Sequence, residues 1–94
     1  MPDAGETLAH LARALRETPA HREASSKLRE IVKLLHRLPP SRERDGLLAV
    51  AYLRLYQALG KEEDYLRGYS YARTARVEAV RLMAERMAGT PGGE

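Results

Sequence analysis

The chain contains no cysteine, no phenylalanine and no tryptophan. Without cysteine, neither disulfide bonds nor thiolate metal ligands can stabilise the fold. This composition fits a cytoplasmic protein, and we expect that location. The longest apolar runs fall far short of the roughly 20 residues that a membrane-spanning helix needs, so we expect no membrane association. The first residues also lack the basic and apolar regions of a signal peptide.

Lysine is scarce, and arginine supplies most of the positive charge. The chain has 16 basic and 13 acidic residues, which gives a net charge of +3 and a pI near 9.5. A dedicated nucleic-acid-binding protein usually shows a stronger basic cluster. Arginine richness suits phosphate recognition, but a GC-rich genome or surface ion pairs in a thermophile explain it more simply.

The apolar residues recur every three or four positions, and strict alternation is absent, so we predict an all-α fold. A length of 94 residues indicates a single helical domain that covers residues 1–94. Its last six residues, 89–94, read GTPGGE and are expected to form a flexible tail. We predict a single-domain bundle of four helices, in which helices 3 and 4 form a central antiparallel hairpin.

Helices 1 and 2 are predicted on either side of Thr18-Pro19. Helix 1 should begin near Asp3, which has capping-box spacing to Glu6. It should end before Thr18, because a proline disfavours helical geometry in the residue that precedes it. Thr18 is then expected to cap helix 2, which ends before Pro39-Pro40. The apolar stripes are Leu8, Leu11, Ala12 and Leu15 in helix 1, and Ala24, Leu28, Ile31, Leu35 and Leu38, widened by Val32 and Leu34, in helix 2.

Helix 3 is predicted to be the central helix. Ser41 can cap it, and its sequence between Leu47 and Leu59 is apolar on nearly all sides, which is typical of a buried helix. Gly60 suits the left-handed position that ends a helix. Helix 4 should begin at Glu62 and run to about Ala88, with Gly68 as a candidate kink.

The sequence contains no recognisable catalytic motif, and we predict neither an enzyme nor a cofactor. It has no GxSxG motif and no glycine-rich phosphate loop. No two of its three histidines lie four residues apart, which is the spacing that helical zinc motifs require, so no metal site is predicted. The carboxylates of Glu62, Glu63 and Asp64 suit the positive end of a helix, and that role explains them without catalysis.

Two known types of helical hairpin can be compared with residues 55–75, LYQALGKEEDYLRGYSYARTA. A DNA-binding helix-turn-helix is disfavoured, because acidic residues would begin its recognition helix. The run also resembles a tetratricopeptide repeat, with Gly60 at the turn and Tyr69 and Ala72 at its aromatic and small positions. Tyr65, however, falls where that family has alanine, and no second repeat follows. That resemblance would imply peptide or protein binding, but we assign no family.

Helix 4 carries more apolar surface than a single neighbouring hairpin can cover, which is typical of an interface. We therefore predict a non-enzymatic protein-interaction module that self-associates through helix 4, most simply as a homodimer. The alternative is a nucleic-acid-binding accessory protein that uses arginines and tyrosines of helices 3 and 4. The predicted partner-binding residues are Tyr65, Tyr69, Arg73, Arg76, Val80, Met83 and Met87.

Arg76 falls in the middle of the predicted apolar stripe of helix 4. An arginine in that position must form an ion pair, extend its guanidinium outward to water, or bind an anion or an acidic partner. An ion pair with Glu17 or Glu30, in the same or a second chain, is the simplest of these interpretations.

Overall fold

Four α-helices occupy residues 4–75 in the computed structural model, and they confirm the predicted all-α class. They are α1 (Ala4–Arg16), α2 (Ser25–His36), α3 (Arg42–Leu59) and α4 (Glu62–Ala75), with a 3-10 turn at Arg22–Ala24. The structure describes residues 4–75 and 85–86, with side chains from residue 7 onward. Within these ranges there is no strand. No helix in the described part of the chain is long and apolar enough to cross a membrane.

The third helix is the centre of the bundle, as predicted. Leu48, Leu53 and Leu55 are completely buried. The longest interface joins α3 to α4, while α1 and α2 pack against α3 and against each other. In the described residues the backbones of α2 and α4 are not in contact, and the two helices meet only through side chains.

The two predicted caps of α3 are both present. The Ser41 hydroxyl accepts a hydrogen bond from the Arg44 N–H at 3.0 Å. At the other end Gly60 has a φ of +75°, and its N–H donates to the Tyr56 carbonyl at 2.7 Å. A left-handed residue at this position favours glycine. These caps fix both ends of α3 and direct the chain into the antiparallel α4.

Thr18 does not cap α2, so that prediction was wrong. Its hydroxyl donates to the Ala14 carbonyl at 2.6 Å, and its N–H donates to the Leu15 carbonyl at 3.1 Å. Thr18 therefore satisfies carbonyl groups at the end of α1. The next helix begins at Ser25, after the 3-10 turn.

Gly68 lies at the closest approach of α3 and α4. A Cβ atom added there would lie 2.9 Å from the Leu53 side chain and 3.2 Å from the Ala49 carbonyl oxygen. Ordinary packing would require about 3.4 Å or more, so a larger residue would separate the helices. The sequence suggested a kink at Gly68, whereas in the structure the glycine permits close packing within one continuous helix.

The last described residue of α4 is Ala75, whose carbonyl accepts a hydrogen bond from Arg42 Nε at 3.2 Å. The remainder of the predicted helix, 76–84 and 87–88, lies outside the described residues. However, the Tyr69 hydroxyl lies 3.4 Å from a carboxylate oxygen of Glu85. The predicted helix 4 is confirmed from Glu62 to Ala75, and its extension to about Ala88 stays a prediction.

Candidate interaction surface

The described helix α4 has one side against α3 and one side facing outward. The inner side consists of Asp64, Gly68, Ala72 and Ala75, which are all buried. On the outer side Leu66 is 57% exposed. The other exposed large hydrophobic residue in the described chain is Leu34, at 38%. A single exposed leucine is ordinary on a protein surface, so Leu66 becomes a candidate contact only together with the residues around it on this side of the helix.

Three of the seven predicted partner-binding residues are described, and the structure brings them together. Tyr65 and Tyr69 are half-buried, with ring centroids 6.1 Å apart, and the Arg73 guanidinium lies 6.0 Å from the Tyr69 ring. Tyr56 of α3 extends this row, with its ring 5.4 Å from that of Tyr65. The other four, Arg76, Val80, Met83 and Met87, lie outside the described residues.

Tyr65, in the middle of this row, is unsuited to ionise near neutral pH. Burial raises the pKa of Tyr65 above its ordinary value of 10.0, and the neighbouring Tyr69 and Glu85 raise it further. Its hydroxyl therefore remains a neutral donor and acceptor, and the rings of the row supply contact area. This chemistry suits binding and gives no support to catalysis by tyrosinate.

Charge is distributed unequally along the outward side of α4. Glu62 and Glu63 are exposed in the first turn, and Arg73 is exposed in the last turn. Within the helix, Arg67 and Glu63 form an exposed ion pair at 3.4 Å, of the kind that contributes little to stability. The outward side is therefore acidic at its N-terminal end and basic at its C-terminal end, with Leu66 between them.

A second aromatic cluster joins α2, α3 and α4, and it was not predicted from the sequence. His36 Nε2 lies 3.0 Å from the Tyr52 hydroxyl, and the Tyr52 and Tyr71 rings stack with their centroids 5.9 Å apart. The Arg67 guanidinium lies 6.0 Å from the Tyr52 ring. Burial raises the pKa of Tyr52, the adjacent Tyr71 raises it further, and Arg67 acts in the opposite direction.

Asp64 is fully buried and forms a two-pronged ion pair with Arg29 of α2. The two N···O distances are 3.1 and 3.0 Å, and the arginine side chain is 39% exposed. The sequence interpretation assigned Asp64 only to the helix N-terminus. This pair could not be predicted from local sequence, because Arg29 and Asp64 are 35 positions apart and lie in different helices.

The arginines of α3 form bonds within the protein. Arg42 donates to the Ala75 carbonyl, and Arg54 donates to the carbonyls of Leu15 and Thr18. Arg44 donates to the Asp45 carboxylate and to the Leu38 carbonyl. These side chains connect helix ends to α3, so they are poorly placed to bind phosphates.

An apolar depression lies between α1 and α3, on a different part of the surface from the tyrosine row. Its volume is about 480 Å³. It is lined by Leu8, Ala9, Ala12, Gly46, Leu47 and Val50, with Arg42 and Glu43 at its edge. None of these six residues has a side chain able to transfer a proton or bind a metal, so the depression offers an apolar contact surface.

The described residues include no group of three or more metal-ligating side chains. No protein-family model, no curated protein and no solved structure matches this chain. The fold and the surfaces described above therefore define it as an all-α bundle whose exposed chemistry is apolar, aromatic and charged. Its function has to be inferred from that surface chemistry.

Proposed function

We propose that this protein is a non-enzymatic protein-interaction module that forms a homodimer through the outward side of α4. The observation that carries the proposal is the exposed Leu66 between two ends of opposite charge. An apolar contact flanked by complementary charges is the arrangement that a specific, self-complementary interface needs.

In an antiparallel pair of α4 helices, each contact between opposite charges would form twice, once on each side of the two-fold axis. About a two-fold axis at the level of Gly68, residue 63 of one chain faces residue 73 of the other. Glu63 of each copy then opposes Arg73 of its partner. The two Leu66 side chains are separated by only about 6 Å along the helix axis, so they can pack together at the centre. Parallel pairing would instead place like charges together.

The residue types on this side of the helix also support the proposal. Tyrosine and arginine are enriched at protein interfaces, and Tyr69 and Arg73 are already in contact with each other. The predicted partner-binding residues Arg76, Val80, Met83 and Met87 would extend the surface beyond Ala75. The cytoplasmic location stays a prediction.

Leu66→Glu tests the proposal against a matched control. We expect wild-type protein to form dimers at micromolar concentration in sedimentation equilibrium, and Leu66→Glu to be monomeric, because three carboxylates per chain would then crowd the interface. Leu34→Glu introduces the same change at the other exposed leucine, on α2, and should remain dimeric. A wild-type monomer, or a dimer of unchanged affinity in Leu66→Glu, would contradict the proposal.

A charge exchange tests the antiparallel geometry itself. Arg73→Glu should weaken the dimer by about threefold to tenfold, because each Glu63 would then oppose a carboxylate. Adding Glu63→Arg to the same chain should restore most of the affinity. If the double variant is weaker than both single variants, the two residues do not face each other.

Nucleic-acid binding is the second candidate function, and the stacked tyrosines beside Arg73 are the observation that favours it. The internal bonding of the α3 arginines reduces the number of cations available for phosphates. Binding of an oligonucleotide whose affinity falls steeply with salt, and falls further in Arg73→Glu, would favour this function over dimerisation alone.

A further inference from the structure

The outer face of α2 carries a second charged surface that the α4 dimer does not use. Arg29, Lys33 and Arg37 are spaced four residues apart and line one depression of about 580 Å³, together with Ser26, Glu30 and Leu34. Lys33 and Arg37 are exposed, and the Arg29 side chain is 39% exposed. We propose that this face binds an acidic, amphipathic helical segment of a partner protein.

The spacing of the cations suits a helical partner. Side chains four residues apart on a helix are separated by about 6 Å along its axis. Glutamates repeated every fourth residue on a facing helix have the same separation, so two carboxylates can match Lys33 and Arg37 in register beside Arg29. Although Asp64 neutralises part of the charge of Arg29, that carboxylate is completely buried and faces inward.

Two other residues of the depression distinguish a peptide from a nucleic acid. Leu34 is 38% exposed and provides an apolar contact that a phosphate backbone cannot use. Glu30 is exposed in the same depression and can pair with a basic residue of a peptide, whereas a nucleic-acid backbone offers it only phosphates, which it repels. An amphipathic helix can pack a leucine against Leu34 and direct its own carboxylates toward Lys33 and Arg37.

The electrostatics of α2 explain only part of this surface. Lys33 is in the last turn and Arg37 directly follows the helix, where positive charge is favourable near the helix C-terminus. Arg29, in the middle of the helix, is held by its ion pair with the buried Asp64, whereas the exposed Leu34 has no such explanation. The combination of a basic row and an adjacent leucine is therefore the feature that indicates a partner.

Fluorescence anisotropy with a synthetic peptide tests the inference. The probe is a labelled helix of about 20 residues, long enough to be helical alone, with glutamate at every fourth position and leucine along the adjacent stripe. We expect binding that weakens with salt. Lys33→Glu/Arg37→Glu should weaken it about tenfold or more, while Arg22→Glu/Lys27→Glu, with the same change in net charge, should weaken it about twofold at most.

Three results would overturn the inference. The first is an equal loss of binding in the two double variants, which would indicate attraction by net charge alone. The second is undiminished binding of a probe in which serine replaces leucine. The third is a single-stranded oligonucleotide that competes more strongly than the peptide. Circular dichroism melting of each variant establishes that it is folded.

The inference is independent of the α4 dimer, and the same proteins separate the two. Lys33→Glu/Arg37→Glu should still sediment as a dimer, because its substitutions are on α2. The monomeric Leu66→Glu variant should still bind the peptide. A folded variant that loses both dimerisation and peptide binding would show that the two depend on the same surface.

Discussion

Asp64 is the residue whose environment differs most from its sequence context. It is one of three adjacent carboxylates in the first turn of α4, yet it alone is completely buried and paired with Arg29. A buried charge is stable only when its partner and its hydrogen bonds are in place. This side chain therefore links α2 to α4, whose backbones do not meet.

Asp64→Asn should lower the free energy of unfolding by about 2–3 kcal/mol, because it removes two charge-assisted hydrogen bonds from a buried site. The neighbouring Glu63→Gln removes an exposed ion pair with Arg67 and should cost less than about 0.5 kcal/mol. Urea denaturation at one fixed protein concentration measures both. Equal effects of the two substitutions would contradict the role assigned to Asp64.

The raised pKa of Tyr52 predicts how the stability of the fold changes at alkaline pH. Burial and Tyr71 raise its pKa in the folded state above 10.0, while the unfolded chain ionises near that value. The folded state therefore retains a proton that the unfolded state has lost, and stability should fall as pH rises above about 10. Below that pH the contribution of this group is fully present.

The difference in tyrosinate absorbance between wild type and Tyr52→Phe isolates this titration. We expect its midpoint above pH 10 in the folded protein and near pH 10 in concentrated urea. A midpoint at or below 10 in the folded protein would show that the Tyr52 hydroxyl is not buried against α2 and α4.

At the scale of the element, the contact between α3 and α4 depends on Gly68. Alanine has the higher helix propensity by about 1 kcal/mol. Nevertheless, Gly68→Ala should destabilise the fold by about 1–2 kcal/mol, because the new Cβ meets the buried Leu53 and the Ala49 backbone. Ser70→Ala, exposed on the same helix, should be neutral or slightly stabilising. A gain in thermal stability from Gly68→Ala would show that the two helices are farther apart than described.

The elements that the sequence predicted well are those determined by local chemistry. Ser41 and Gly60 form the expected caps, and Leu11, Leu28 and Leu55 are buried at their expected helical positions. Predictions failed where a residue could take either of two local roles, or where its partner was distant in the sequence. Thr18 could begin one helix or end another, because Pro19 is compatible with both.

The candidate site was predictable only in part. Tyr65 and Tyr69 lie four residues apart, so their ring contact follows from helical spacing. The Asp64–Arg29 pair and the stacking of Tyr52 on Tyr71 join different helices, and a single sequence gives no register between helices. The predicted extent of helix 4 beyond Ala75 stays a prediction, because it depends on the period of the apolar pattern alone.

At the scale of the whole molecule, α3 separates two exposed surfaces of different character. The outward side of α4 combines Leu66 with charges of both signs, whereas the outer face of α2 has a basic row beside Leu34. A self-complementary surface on one side leaves the other available to a different partner. The protein would then be a dimeric adaptor that presents two copies of its basic face.

The most direct test of the account is to locate the dimer contact by cross-linking, for which a cysteine-free chain is an ideal background. Ser70→Cys places a thiol beside Leu66 on the outward side of α4, and Ser26→Cys places an equivalent thiol on α2. With a short bismaleimide, we predict that Ser70→Cys forms a cross-linked dimer that is lost when Leu66→Glu is added, while Ser26→Cys stays monomeric. Efficient cross-linking through Ser26→Cys with none through Ser70→Cys would contradict the proposed interface.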